Sequence, residues 1–168
     1  SFPVRFLDNI DVGHSGTWGS FSDDGKQAVY GYAFDLLAKR GPWELAAEYM
    51  NLRFEQPASA PPTDPRRMDG WYVEIRYHFF PPGWRGKHPL FTDESTFTLV
   101  VRWEGLDLNH STRGTTFRDD LEQLTVGFNF RPIERTVFKI SYTFVDSENP
   151  AFDGGAADIF AFSVATFF

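Results

Sequence analysis

Two histidines stand near enough to an acid or a hydroxyl to raise the question of catalysis. His14 precedes Ser15, and His78 follows Glu74 by four residues. On an extended strand four residues span about 13 Å, beyond the reach of a base and the carboxylate that would orient it. Gly13-His14-Ser15-Gly16 reads as a Gly-rich loop, without the strand-turn-helix context of a nucleophile elbow. The histidines at 14, 78, 88 and 110 do not fall at metal-ligand spacing, and there is no Gly-rich phosphate loop. The chain has no Cys, which excludes disulfides, thiolate metal sites and thiol nucleophiles. No catalytic residue and no cofactor is therefore expected. Asp119, Asp120 and Glu122 cluster before one apolar run, and Asp146, Glu148 and Asp153 lie in another polar stretch. Their oxygens are hard ligands that could hold a divalent cation, although such residues are more often a solvated rim, and no metal site is expected.

Eight charges share one property. Asp35, Glu44, Glu48, Glu74, Arg76, Arg102, Glu104 and Lys139, together with His78, each sit one position out of phase with a run of apolar and aromatic residues. Such period-2 alternation marks strands. One face carries Tyr30, Tyr32, Phe34 and Leu36; then Trp43, Leu45, Ala47 and Tyr49; then Trp71, Val73, Ile75, Tyr77 and Phe79. It continues with Phe97, Leu99, Val101 and Trp103; Leu124, Val126, Phe128 and Phe130; Phe138, Ile140, Tyr142 and Phe144; and Phe160, Phe162, Val164 and Phe168. None of these positions is charged. Strands are expected near 27–39, 43–54, 68–80, 95–107, 121–131, 136–145 and 158–168, with a weaker one near 2–10 that Pro3 and Asp8 interrupt. Tight connections at 40–42 and 131–134 alternate with long polar ones at 11–26, 55–67, 108–119 and 146–157; the connection at 81–94 is long where a short one is expected.

Composition narrows what the apolar face can meet. The chain has 168 residues, formal net charge −7, 42% hydrophobic and 18% aromatic residues, including 19 Phe. Its acidic balance argues against a nucleic-acid partner, and no run of 18 apolar residues exists to form a spanning helix. In a small soluble barrel or sandwich, rings at nearly every inward position would overfill the interior, whereas toward lipid they meet no volume limit. Trp43, Phe79 and Phe130 lie near the short turns, and Trp71, Trp103 and Phe144 near the long loops. Two such aromatic girdles, with short turns at one end and long loops at the other, describe an all-β, antiparallel, up-and-down transmembrane β-barrel of the outer-membrane type, supplying seven to eight strands. The girdle and lipid face would be Trp43, Trp71, Tyr77, Phe79, Trp103, Phe130, Phe138, Phe144 and Phe168, and the charged set would line the lumen.

The stretches Gly41-Pro-Trp-Glu-Leu-Ala-Ala-Glu-Tyr49, Asp69-Gly-Trp-Tyr-Val-Glu-Ile-Arg-Tyr77, Leu124-Thr-Val-Gly-Phe-Asn-Phe-Arg-Pro132 and Val137-Phe-Lys-Ile-Ser-Tyr142 resemble the C-terminal portion of the phosphate-selective porin O/P family. The end at Phe168 is similar to the signal by which outer-membrane barrels are recognised for assembly. The resemblance implies a 16-stranded, usually homotrimeric channel from a chain over twice this length, of which residues 28–168 would be the second half and the N-terminal half would be missing. The opening Ser1-Phe2-Pro3, without initiator Met or signal pattern, fits a processed or cut chain.

The expected function is passive diffusion of small hydrophilic solutes or ions across the bacterial outer membrane, with anions such as phosphate as candidates and with membrane lipid and lipopolysaccharide as partners. An anion path needs a ladder of Arg and Lys, and only Arg76, Arg102 and Lys139 qualify. The reading favoured for these three is pairing across strands with Glu74, Glu104 or their neighbours, which neutralises the wall. The acidic loop residues could also bridge through a cation to lipopolysaccharide phosphates. Two alternatives are a closed eight-stranded structural or adhesive barrel without an open channel, and a soluble ligand-binding barrel.

Overall fold

The structure is a computed structural model that describes residues 9–20, 27–56, 66–108, 120–147 and 156–167. Eight strands form one antiparallel sheet in the order of the chain: β1 (Asn9–Ser20), β2 (Ala28–Arg40), β3 (Trp43–Phe54), β4 (Arg67–Phe79), β5 (Thr96–Asp107), β6 (Asp120–Ile133), β7 (Thr136–Ser147) and β8 (Ala156–Thr166). Each strand pairs with the next, and none of the described residues is helical. β1 and β8 are the two edges, with no ladder between them among the described residues, so the described sheet is open.

Each of the seven alternating segments coincides with a strand, because β-branched and aromatic residues at every second position suit a pleated surface buried on one side. The first strand departs from expectation. It was expected near 2–10, and residues 11–26 as a loop; residues 2–8 and 21–26 lie outside the described residues, and 9–20 form β1. Gly13, Gly16 and Gly19 thin out the side-chain pattern there, so the segment reads as a loop from sequence. What makes it a strand is its ladder to β2, which runs in unbroken register from Asn9↔Lys39 to Ser20↔Ala28.

The β2–β3 connection is a two-residue turn at Gly41 and Pro42, where Gly41 adopts φ 53°, the left-handed region that costs glycine nothing. β6 and β7 join through Glu134 and Arg135, and a register shift between Phe130 and Ile133 precedes that turn. Pro132 sits inside the shift, as expected of a residue with no N–H to give the ladder. Its carbonyl accepts hydrogen bonds from Thr92 Oγ1 and Ser95 Oγ, both at 2.8 Å, which tie the β4–β5 connection to the end of β6.

Burial is inverted relative to a water-soluble fold. The only buried hydrophobic side chains among the described residues are Ala38, Ala46 and Phe97, whereas Glu44, Asn51, Glu74 and Thr98 are buried. Large apolar side chains lie open on one face: Phe34 is 54% exposed, Ile75 47%, Val101 46% and Phe162 63%. The other face is concave. A groove of about 930 Å³ runs along it across β4 to β8, lined by Arg76, His78, Arg131, Lys139, Ser141 and Ser163 among others.

Candidate functional site, the polar concave face

Register places the charged set together. Lys39, Glu44 and Arg76 stand directly opposite one another on β2, β3 and β4; Ala46, Glu74, Arg102 and Thr125 form the next row; Asp35, Glu48, Tyr72, Glu104 and Gln123 the row after that. All nine lumen candidates, Asp35, Glu44, Glu48, Glu74, Arg76, His78, Arg102, Glu104 and Lys139, therefore share one face.

Within that face most charges are paired. Arg76 binds Glu44 across the strand boundary and Glu74 along its own strand, and Lys39 Nζ lies 3.1 Å from Glu44. Arg102 makes a two-pronged contact with Glu104, Nε donating at 2.7 Å and Nη2 lying at 2.6 Å, while its guanidinium stacks 4.0 Å over the Tyr72 ring. A guanidinium with two nitrogens on one carboxylate oxygen and its plane over a ring is held in place. Glu44 and Glu74 keep about a tenth of their side-chain surface exposed, so these pairs neutralise a wall that would otherwise bury bare carboxylates. His78 Nδ1 lies 3.0 Å from Thr98 Oγ1, and its Nε2 is 4.0 Å from Glu44. That last distance is too long for a hydrogen bond, and Glu44 already serves two cations, so the group fixes an imidazole in the wall without forming a hydroxyl–imidazole–carboxylate relay.

Of the three cations that qualified for an anion path, Arg76 and Arg102 are neutralised, and Lys139 has no carboxylate partner among the described residues. Sequence reasoning missed two further cations on this face, Lys39, which pairs with Glu44, and Arg131, opposite Thr96 and lining the same groove. Arg131 shares parity with Asn129 and Gly127, but its place beside Pro132 made it look like part of a turn. Lys139 and Arg131 share the groove with Asn129, Ser141, Ala161, Ser163 and Ala165 and, at its turn end, with Glu94 and Glu134. Asp35 and Glu48 face each other on β2 and β3, also without a cation partner among the described residues. Among the described strand residues of the concave face, unpaired charge is acidic on β2–β3, at Asp35 and Glu48, and basic on β6–β7, at Arg131 and Lys139, with Glu94 and Glu134 of the flanking connections at the turn end of the groove.

The opposite face carries the expected rings. Trp43, Tyr77, Phe79, Phe97, Phe130 and Phe138 form a continuous row toward the turn end, with successive centroids 4.6 to 6.2 Å apart. Toward the loop end Trp71 and Trp103 meet edge to face at 4.9 Å, and Tyr142 and Phe144 at 4.9 Å. Phe168 lies outside the described residues. Charge resumes immediately beyond this second row: Trp103 Nε1 donates to Glu122 at 2.6 Å, and the Tyr142 hydroxyl to Asp158 at 2.7 Å. Asp120 and Glu122 project on this aromatic face, Asp119 is outside the described residues, and among the described residues no three acidic or histidine side chains gather as metal ligands. His14 and Ser15, expected in a loop, lie in β1 on opposite faces of the sheet.

Comparison with known proteins returns no match: no family model, no curated protein and no solved structure is similar to this chain.

Proposed function

We propose that this chain is a wall segment of an outer-membrane β-barrel of the porin type, through which small hydrophilic solutes diffuse passively. The observation that carries the reading is the inversion of the two faces: exposed, uncharged rings on one side, and paired charges with small polar residues along a groove on the other. Strands of 11 to 14 residues are long enough to cross a hydrocarbon core when tilted. The ring rows fit girdles at its two boundaries, with Trp103 and Tyr142 directing their polar tips outward. Backbone groups at the free edges of β1 and β8 have no partner in lipid, so both edges must pair with further strands in the assembled barrel. A closed eight-stranded barrel would need a β1–β8 ladder, and the described sheet has none.

The stretches 41–49, 69–77, 124–132 and 137–142, which resemble the phosphate-selective porin O/P family, support the same reading, with a homotrimer as the assembled form. Two unneutralised cations are not a ladder, so the wall supports general passage of small solutes, with weak charge preference, over selection of phosphate. The full-length protein reconstituted in planar bilayers tests the reading. Stepwise ion conductance is expected, and its absence at saturating protein would overturn the channel.

A further inference from the structure

The β4–β5 connection, residues 80–95, is longer than a turn needs and has its own internal order. Trp84 N–H donates to the Pro81 carbonyl at 3.3 Å, Lys87 to Trp84 at 3.2 Å, Gly86 to Phe91 at 2.6 Å and Phe91 to His88 at 2.8 Å, while Gly83 and Gly86 take φ 80° and 72°. Its rings pack outward, against the apolar face. Phe91 lies 5.9 Å from Phe130 and 6.4 Å from Phe97, and Trp84 lies 5.4 Å from Phe91 and 6.2 Å from Phe97. This cover makes Phe97 the one buried large ring among the described residues.

The knob then presents a mixed surface. Trp84 stays 45% and Leu90 48% exposed. Between them Arg85 and Lys87 are exposed, and residues 81–92 contain no acid in a chain whose net charge is −7. Arg85 is steadied by the Asp93 carbonyl and by the Phe80 ring 5.0 Å away; His88 Nδ1 accepts the Leu90 N–H. The nearest acids in the chain are Asp93 and Glu94, and Glu94 lines the concave groove on the other side of the sheet.

We propose that this knob docks on anionic phospholipid headgroups of the membrane leaflet at the turn end, Arg85 and Lys87 meeting the headgroup phosphates while Trp84 and Leu90 enter the acyl boundary. The inference rests on the membrane reading above. Charge complementarity selects the occupant: an apolar rim flanking two exposed cations matches an anionic lipid surface, where each cation contributes about a fivefold gain in partitioning. Native mass spectrometry of the detergent-folded, full-length protein with equimolar phosphatidylglycerol and phosphatidylethanolamine tests it. Phosphatidylglycerol should be retained about fivefold or more over phosphatidylethanolamine. The preference should vanish in R85Q/K87Q and survive in R85K/K87R, which keeps the charge. Equal retention of the two lipids by the wild type, or a preference that R85Q/K87Q leaves intact, overturns the docking while the membrane reading stands. A protein that stays dispersed in buffer without detergent and retains neither lipid overturns the membrane reading and the docking together.

Discussion

Ile140 and Ser141 are neighbours in β7 on opposite faces of the sheet, and they allow the proposed membrane reading to be tested one residue at a time. Ile140 pairs with Phe128 and Phe162 on the ring face; Ser141 pairs with Gly127 and Ala161 on the groove face. Phe138 and Phe144 mark the two girdles on this strand, so Ile140 stands one residue from their midpoint. With a rise of about 3.4 Å and a tilt of about 40°, that is roughly 3 Å from the centre of the hydrocarbon band. Ile140→Arg should cost about 2–4 kcal/mol there. Ser141→Arg, entering a groove between glycine and alanine, should cost less than about 1 kcal/mol. Ile140→Trp separates lipid from a packed core: it should be nearly neutral against lipid, whereas overpacking a protein interior costs about 1–3 kcal/mol. The assay is guanidinium unfolding of the full-length protein from lipid vesicles, followed by tryptophan fluorescence. Equal costs for the two arginine variants, or an Ile140→Trp penalty of core size, would refute the assignment of faces.

Glu44→Gln should lower stability by about 1–3 kcal/mol, because Lys39 and Arg76 lose a shared carboxylate in a half-buried wall; the same unfolding assay measures it, and bilayer reversal potentials should shift toward anions. Lys139→Glu should shift the reversal potential toward cations while leaving the unfolding midpoint nearly unchanged, since no ion pair is broken. Gly41→Ala forces a Cβ into left-handed backbone at the β2–β3 turn and should cost about 1 kcal/mol, read as a lower midpoint with unaltered conductance.

Much of the sheet is legible in the residues because one physical rule, alternation against a pleated surface, acts locally. Trp71, Val73, Ile75, Tyr77 and Phe79 announce β4 without help from any neighbour. β1 is hidden for the converse reason: with glycine at three of its positions, what holds it is the ladder to β2, a long-range contact that no local pattern carries. The charge pairs were legible in the acids Glu74 and Glu104 and not in their geometry, expected across strands. Arg102 stands directly across from Glu74 yet binds Glu104 two residues along its own strand, and Glu74 turns to Arg76. Which partner wins depends on the third strand, where Glu44 draws Arg76 over. Arg131 escaped notice because the irregularity at Pro132 disguises its parity, and the outward packing of Trp84 and Phe91 depends on the ring row beneath them, which only the assembled sheet brings together.

The small residues of the groove, Gly127, Ser141, Ala161, Ser163 and Ala165, have a consequence for how such a wall can diversify. The groove is lined by β4 to β8, and its small side chains stand on β6, β7 and β8. Enlarging any one of these side chains would narrow the groove without altering the ring face or an ion pair among the described residues. In the proposed porin, sieving size is thereby separable from folding: the cut-off would drift by single substitutions along three strands while the lipid-facing exterior stays the same.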